Sequence, residues 1–177
     1  GGGGRRRGVL GGVAGAPGAA GVSLSFEASV AAAASLAGFI PIVMATAGNA
    51  GIQSSAIAVQ GLASGDIWAS DIKMRLRKEL SVALLNGIVA SAVLGLGILI
   101  VGPAFPDKVA SPTQLAYTAS MALLIVIVLA TTIGAMTPLL LDKLGIDPAL
   151  ATGPFITTSN DILGIFVFFM LAEWLYL

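Results

Sequence analysis

The chain has 177 residues, 56% of them hydrophobic and 10% charged, with a mean hydropathy of +0.97 and a formal net charge of zero. Soluble domains carry about 25% charged residues, so this is the composition of an integral membrane protein, long enough for one membrane domain and too short to add a large soluble one. The lack of Cys and His excludes disulfides, thiolate or imidazole metal sites, cysteine nucleophiles and histidine bases, and zero net charge gives no basis for binding nucleic acid; any bound metal must be held by oxygen, which favours hard ions such as magnesium, calcium or manganese.

The first 26 residues differ from the rest. In GGGGRRRGVLGGVAGAPGAAGV the apolar run from Val9 to Val22 is shorter than the ~20 residues a span needs. Each glycine also lowers helix propensity by about 1 kcal/mol relative to Ala. Residues 1–26 read as a glycine-rich leader or a degraded first transmembrane helix, and residues 27–177 as one membrane domain. Four clearer spans follow. Val30 to Gln60 contains Pro41 and the polar knot GNAGIQSS. Glu79 to Gly102 is the next, Thr113 to Leu141 carries Pro138 near its end, and the last begins at Asp147-Pro148 and runs to about Tyr176. Asp147 is a good N-cap and Pro148 a good first helical residue. The expected fold is all-α: a polytopic membrane helix bundle of about five transmembrane helices per subunit, the first weak or incomplete.

Charge orients the spans. The polar linker from Ser64 to Lys78 holds Lys73, Arg75, Arg77 and Lys78, four of the nine basic residues. The positive-inside rule places it in the cytoplasm and the C-terminus outside. Arg5 to Arg7 then fall inside as well if the leader crosses once, which favours five spans over four. Asp66, Asp71 and Glu79, in or beside the linker, are expected to face water. Trp174 and Tyr176 suit an interfacial belt, and Met170 and the Phe residues of IFVFFM suit lipid contact or packing.

Asp161 stands inside the apolar run PFITTSNDILGIFVFFML. A carboxylate at the bilayer centre costs roughly 2.5–3.5 kcal/mol on insertion scales, so an acid there is functional by default. Fourteen residues after Asp147 along one continuous helix, it would lie roughly 20 Å from the helix start, near the midplane of a ~30 Å core. Thr157, Thr158 and Gly164 share its face at three- and four-residue spacing. Pro154, one further turn back, would leave the Leu150 carbonyl without its usual donor. The plainer alternative is a neutral Asp hydrogen-bonded between helices. The polar knot PIVMATAGNAGIQSS, Pro41 to Ser55, places Asn49 and Gln53 four apart on one face. Their carbonyl oxygens are hard ligands, and the plainer role is polar glue between helices. Gly48 and Gly51 can distort the helix or admit another backbone. No Ser/His/Asp set, zinc motif or phosphate loop is present, so the chain does not read as an enzyme.

Taken together, PIVMATAGNAGIQSSAIAVQGLASGDI (Pro41 to Ile67), the basic linker with KEL (Lys78 to Leu80), and IGAMTPLLLDKLGIDPALATGPFITTSNDILGIF (Ile133 to Phe166) resemble the transmembrane domain of the MgtE family of magnesium channels and transporters. The GN-x-G-x-Q core, the G-A-M-x-P turn and the DPAL…D-I-x-G helix stand in family order and at family-like spacing, over roughly residues 27–175. The resemblance implies a homodimer of five-helix subunits, with residues 27–177 as the pore domain and a pore at the dimer axis lined mainly by the second and fifth helices. It implies that Asp161 is the pore carboxylate that holds a hydrated magnesium ion and that Asp147 is the acidic residue at the cytoplasmic start of that helix. Thr157 would supply backbone or small polar contacts, and Asn49 and Gln53 the polar group of the second helix. The chain departs from the family pattern at Gly153, near where some members carry an Asn side chain. Bacterial members also carry cytoplasmic N-terminal and CBS domains that sense magnesium, so the chain reads as an isolated membrane domain or a short member.

These readings carry chemical expectations. Two Asp161 carboxylates facing across a wet pore would match one divalent cation. Magnesium dehydrates reluctantly, so a site that keeps its waters discriminates by the size and charge of the hydrated ion and still releases it. Manganese and cobalt should then be weakly discriminated. The alternatives are a sodium- or proton-coupled exchanger using the same Asp, and a non-conducting structural membrane subunit.

Overall fold

A computed structural model describes residues 34–66, 72–106, 109, 111–151 and 154–176, with the backbone alone at 72, 150, 151, 154 and 155. Four long helices carry the chain back and forth: α1 (Ile40–Ser64), α2 (Ile72–Val101), α3 (Pro112–Lys143) and α4 (Pro154–Leu175). They are the last four of the five expected spans, and each belongs to a helical segment long and apolar enough to cross a membrane. The glycine-rich leader expected to hold a fifth, residues 1–26, lies outside the described residues.

The punctuation follows from local chemistry. The first clear span contains Pro41, as expected, but its helix is interrupted just before it. A helical turn at 34–37 ends at Gly38-Phe39, and α1 starts with the proline in its first turn, where its missing N–H costs nothing. α1 ends at Gly65, whose φ of 76° lets its N–H reach back to the Leu62 carbonyl at 3.2 Å. Only glycine adopts that left-handed conformation without penalty. Ser111 caps α3 by accepting from the Gln114 N–H at 3.4 Å. At the far end of the bundle the Gln114 amide donates to the Leu175 carbonyl at 3.1 Å, tying the start of α3 to the end of α4.

Two boundaries differ from the sequence-based expectation. The basic segment is not all linker: α2 begins at Ile72, so Lys73, Arg75, Arg77 and Lys78 ride on its first two turns. Leu, Arg, Lys and Met are good helix formers, and nothing between 72 and 78 breaks the pattern. The last helix does not begin at Pro148. Pro148–Ala151 is a short 3-10 turn, and α4 starts at Pro154. Pro154 therefore opens a helix instead of interrupting one, and the continuous helix in which it would free the Leu150 carbonyl does not form.

α3 is the centre of the bundle, with α1, α2 and α4 packed along it. Leu115, Ala119, Ala122, Val126 and Ala130, with Ala116, Leu123 and Ile127 beside them, recur at helical spacing and are all buried. Between membrane helices burial gains little hydrophobic energy, and close van der Waals contact carries association instead. The α1–α3 crossing shows this. A Cβ at Gly134 would overlap the Gly51 carbonyl oxygen and stand 3.0 Å from the Gly51 Cα. The outer surface is largely apolar: Leu85, Val89, Val93, Leu96 and Ile100 of α2 and Phe166, Phe169, Met170 and Trp174 of α4 are exposed. Of the IFVFFM aromatics, Phe168 alone turns inward, edge-on to Phe169 with centroids 6.0 Å apart.

Candidate functional site

The expected site residues fall on two helices that pack against each other, α1 and α4, and on the short turn before α4. Along α1 the small residues Ala47, Gly48, Gly51, Ser54, Ser55 and Ala58 are buried, and Asn49 and Gln53 stand on the exposed side. The four-residue spacing puts both amides on one face, as expected. A hydroxyl in a span can bond back to its own helix, as Thr46 does to Ile42 and Thr132 to Val128, each at 2.7 Å. A side-chain amide cannot be hidden so cheaply, and leaving one in hydrocarbon costs several kcal/mol on transfer scales (about 4–8). A span with two exposed amides on one face must turn that face to water or to other protein.

On α4, Asp161 and Thr157 are half-buried and Thr158 is exposed. Asp161 comes seven residues after Pro154, so it stands roughly 10 Å from the start of α4 and not 20 Å. Because Pro148–Ala151 is a separate 3-10 turn, Asp161 stands nearer the start of its helix than a continuous helix from Asp147 would put it. Asp147 is exposed and separate from α4. Its Oδ1 accepts the Ala149 N–H at 2.9 Å, so it caps the 3-10 turn and not the long helix. Among the described residues no three His, Asp or Glu side chains gather at one point. α4 carries two carboxylates, Asp161 near its start and Glu173 near its far end, so at Asp161 one chain offers a cation a single carboxylate together with neutral oxygens.

Two polar residues matter that the sequence does not single out. Asn160 is 3% exposed, and neither its Nδ2 nor its Oδ1 has a hydrogen-bond partner among the described residues. Successive helical residues point about 100° apart, so Asn160 turns into the bundle while Asp161 turns toward its edge. Asn160 occupies the room left by Gly51: a Cβ there would overlap its Nδ2 and stand 2.9 Å from the Ala130 carbonyl oxygen. The available signal was the pairing of GNAG with SND, which the i, i+4 pattern around Asp161 passes over.

The second is Glu79, expected to face water. It is instead buried, 8% exposed, accepting from the Ser54 hydroxyl at 2.5 Å and ion-paired with Arg75 one turn earlier. Because α2 begins at Ile72, Glu79 rides on a helix whose second turn meets α1 at Ser54, so a carboxylate that would sit in solvent on a loop is drawn into a contact between helices. Asp66, by contrast, is exposed beside the Ser64 hydroxyl, and Asp71 lies outside the described residues.

Long apolar helices, a lipid-suited outer surface and amides exposed on one spanning face define a polytopic α-helical membrane protein. The family model of MgtE, a divalent cation transporter, matches residues 40–171. The magnesium transporter MgtE of Enterococcus faecalis is 40% identical over 149 residues, 84% of this chain and 31% of its own length. That of Thermus thermophilus is 33% identical over 150 residues, 85% of this chain and 31% of its own. The chain belongs to the MgtE family, a family of transporters and not of enzymes, and it spans about a third of the length of the curated relatives it matches.

Proposed function

We propose that this chain forms the pathway of a magnesium transporter, with a hydrated divalent cation held by Asp161 from two copies across a dimer axis. The observation that carries the reading is the polar face of the bundle. The family match covers α1 and all but the last turn of α4, and on them Asn49 and Gln53 are exposed with Asp161 half-buried. No Lys or Arg of this chain lies on α4 to neutralise that carboxylate, which leaves a cation as its natural partner. One Asp per chain supplies half the charge of a divalent ion, so two copies are needed to balance it.

Within this reading Asn49, Gln53 and Thr157 offer oxygens to the ion's water shell. Asp147 attracts cations to the mouth beside the basic turns of α2, on the cytoplasmic side, and the C-terminus lies outside. Keeping the first-shell waters avoids most of the dehydration cost of magnesium, and manganese or cobalt pass by the same geometry. Lipid covers the apolar faces of α2 and α4.

Magnesium flux into liposomes containing the purified protein, measured beside Asp161→Asn, tests the reading. Flux that follows the magnesium gradient alone and vanishes in a folded Asp161→Asn protein is expected. Full flux in that variant sinks the assignment, and flux that requires an opposing sodium or proton gradient replaces the channel with an exchanger.

A further inference from the structure

We propose that Glu79 is a positioning residue of the transport pathway, tying the polar helix α1 to the basic first turns of α2 through Ser54 and Arg75. The inference rests on the pathway reading above, because it concerns the helix that carries Asn49 and Gln53. Both carboxylate oxygens are engaged, Oε2 by the Ser54 hydroxyl at 2.5 Å and Oε1 by the Arg75 guanidinium. Glu79 is therefore not an ion ligand, since its charge is met from within the chain.

Its place in the bundle gives the bond its consequence. α1 and α2 each pack along α3 and only marginally on each other, so little else holds α1 to α2. Ser54 is the neighbour of Gln53, and their side chains diverge by about 100° around α1. Holding Ser54 inward thus sets the rotation at which Gln53, and Asn49 one turn before it, are presented outward. Ser54 is 3% exposed and Glu79 8%, and a charge-assisted hydrogen bond shielded from water is strong and directional. The other end of the chain of contacts is Arg75, on the basic turns outside the apolar part of α2. A displacement of those turns is transmitted to α1 through two side chains. A buried pair broken on one side leaves an uncompensated charge, so the arrangement resists slipping.

The test is a double-mutant cycle on the full chain in liposomes, with Ser54→Ala, Glu79→Gln and the double variant, read as magnesium flux against magnesium concentration. Ser54→Ala removes one hydroxyl and no charge, so it reports even if the Glu79 variant does not yield folded protein. Each single change is expected to lower maximal flux by about tenfold with half-saturation unchanged, because Asp161 is untouched, and the double variant is expected to be no worse than the singles. Unchanged maximal flux in Ser54→Ala, or single losses that multiply in the double, overturns the proposal. So does a loss that disappears when flux is scaled to the folded fraction measured by thermal melting, since that is the signature of a purely structural bond. The Asp161→Asn control separates the failures: flux that survives there removes the ion site assigned above, while the Ser54–Glu79 cycle judges the positioning role alone. Wild-type protein that passes no divalent ion removes both.

Discussion

At the scale of single residues, the α1–α3–α4 junction depends on a missing side chain. Gly51 faces Asn160 and the Ala130 carbonyl with no space for a methyl group, whereas Gly48, one turn earlier, has nothing within 4 Å of an added Cβ. Gly51→Ala is expected to lower stability by about 1–3 kcal/mol through overpacking, and Gly48→Ala to be neutral or slightly stabilising through helix propensity. Thermal unfolding of both variants in detergent checks this, and equal melting temperatures would contradict the close approach. The same pair shows what can be read from a sequence. Both glycines of GNAG are visible as places where a backbone can come near, but which one is used depends on the helix that crosses there. Asn160 illustrates the same point: an Asn beside an Asp is ordinary until the rotation of α4 places one inside and the other at the edge.

At the scale of elements, proline and charge decide the boundaries. Asp147 is a cap, but of a separate 3-10 turn and not of the last helix. Its two possible roles can be parted. Asp147→Asn keeps an oxygen that can accept the Ala149 N–H and removes the charge, whereas Asp147→Ala removes both. The cap predicts unchanged melting for the first and a loss of about 1 kcal/mol for the second. A cation-attracting role predicts a raised half-saturating magnesium concentration for both. Flux curves and melts on the two variants distinguish these outcomes. The extra helical turns at the start of α2 follow from the same kind of competition. The run KMRLRKEL is polar enough to resemble a linker, yet its residues are strong helix formers, and burial of Glu79 against Ser54 rewards continuing the helix down to Ile72.

At the scale of the molecule, the bundle presents two kinds of surface. Beyond its basic first turns the α2 surface is largely apolar, with the single amide of Asn86 exposed on it, and the α1 surface carries Asn49 and Gln53 together. Because the chain has no native cysteine, single cysteines report on what each surface meets. Under the dimer-axis proposal, Asn49→Cys is expected to give a covalent dimer with a short bifunctional thiol reagent in membranes, and Val93→Cys on the lipid face to remain monomeric. A dimer through Val93 with none through Asn49 would move the axis to another face.

Composition alone determined that this is a membrane protein, because 10% charged residues cannot coat a soluble domain. The spacing of apolar runs determined the order of the four described spans, because each must supply enough consecutive residues to cross hydrocarbon. The types of the polar residues, Asn49, Gln53 and Asp161, marked α1 and α4 as the candidate pathway helices, since such groups are costly in lipid. Tertiary structure decided the rest. Whether Glu79 meets water or Ser54, whether Asn160 or Asp161 turns inward, and how far Asp161 stands from the end of its helix all depend on rotation and breakage of helices. Those are settled by contacts between segments far apart in the chain, at Gly51 with Gly134 and Ser54 with Glu79, and no local pattern in the sequence encodes them.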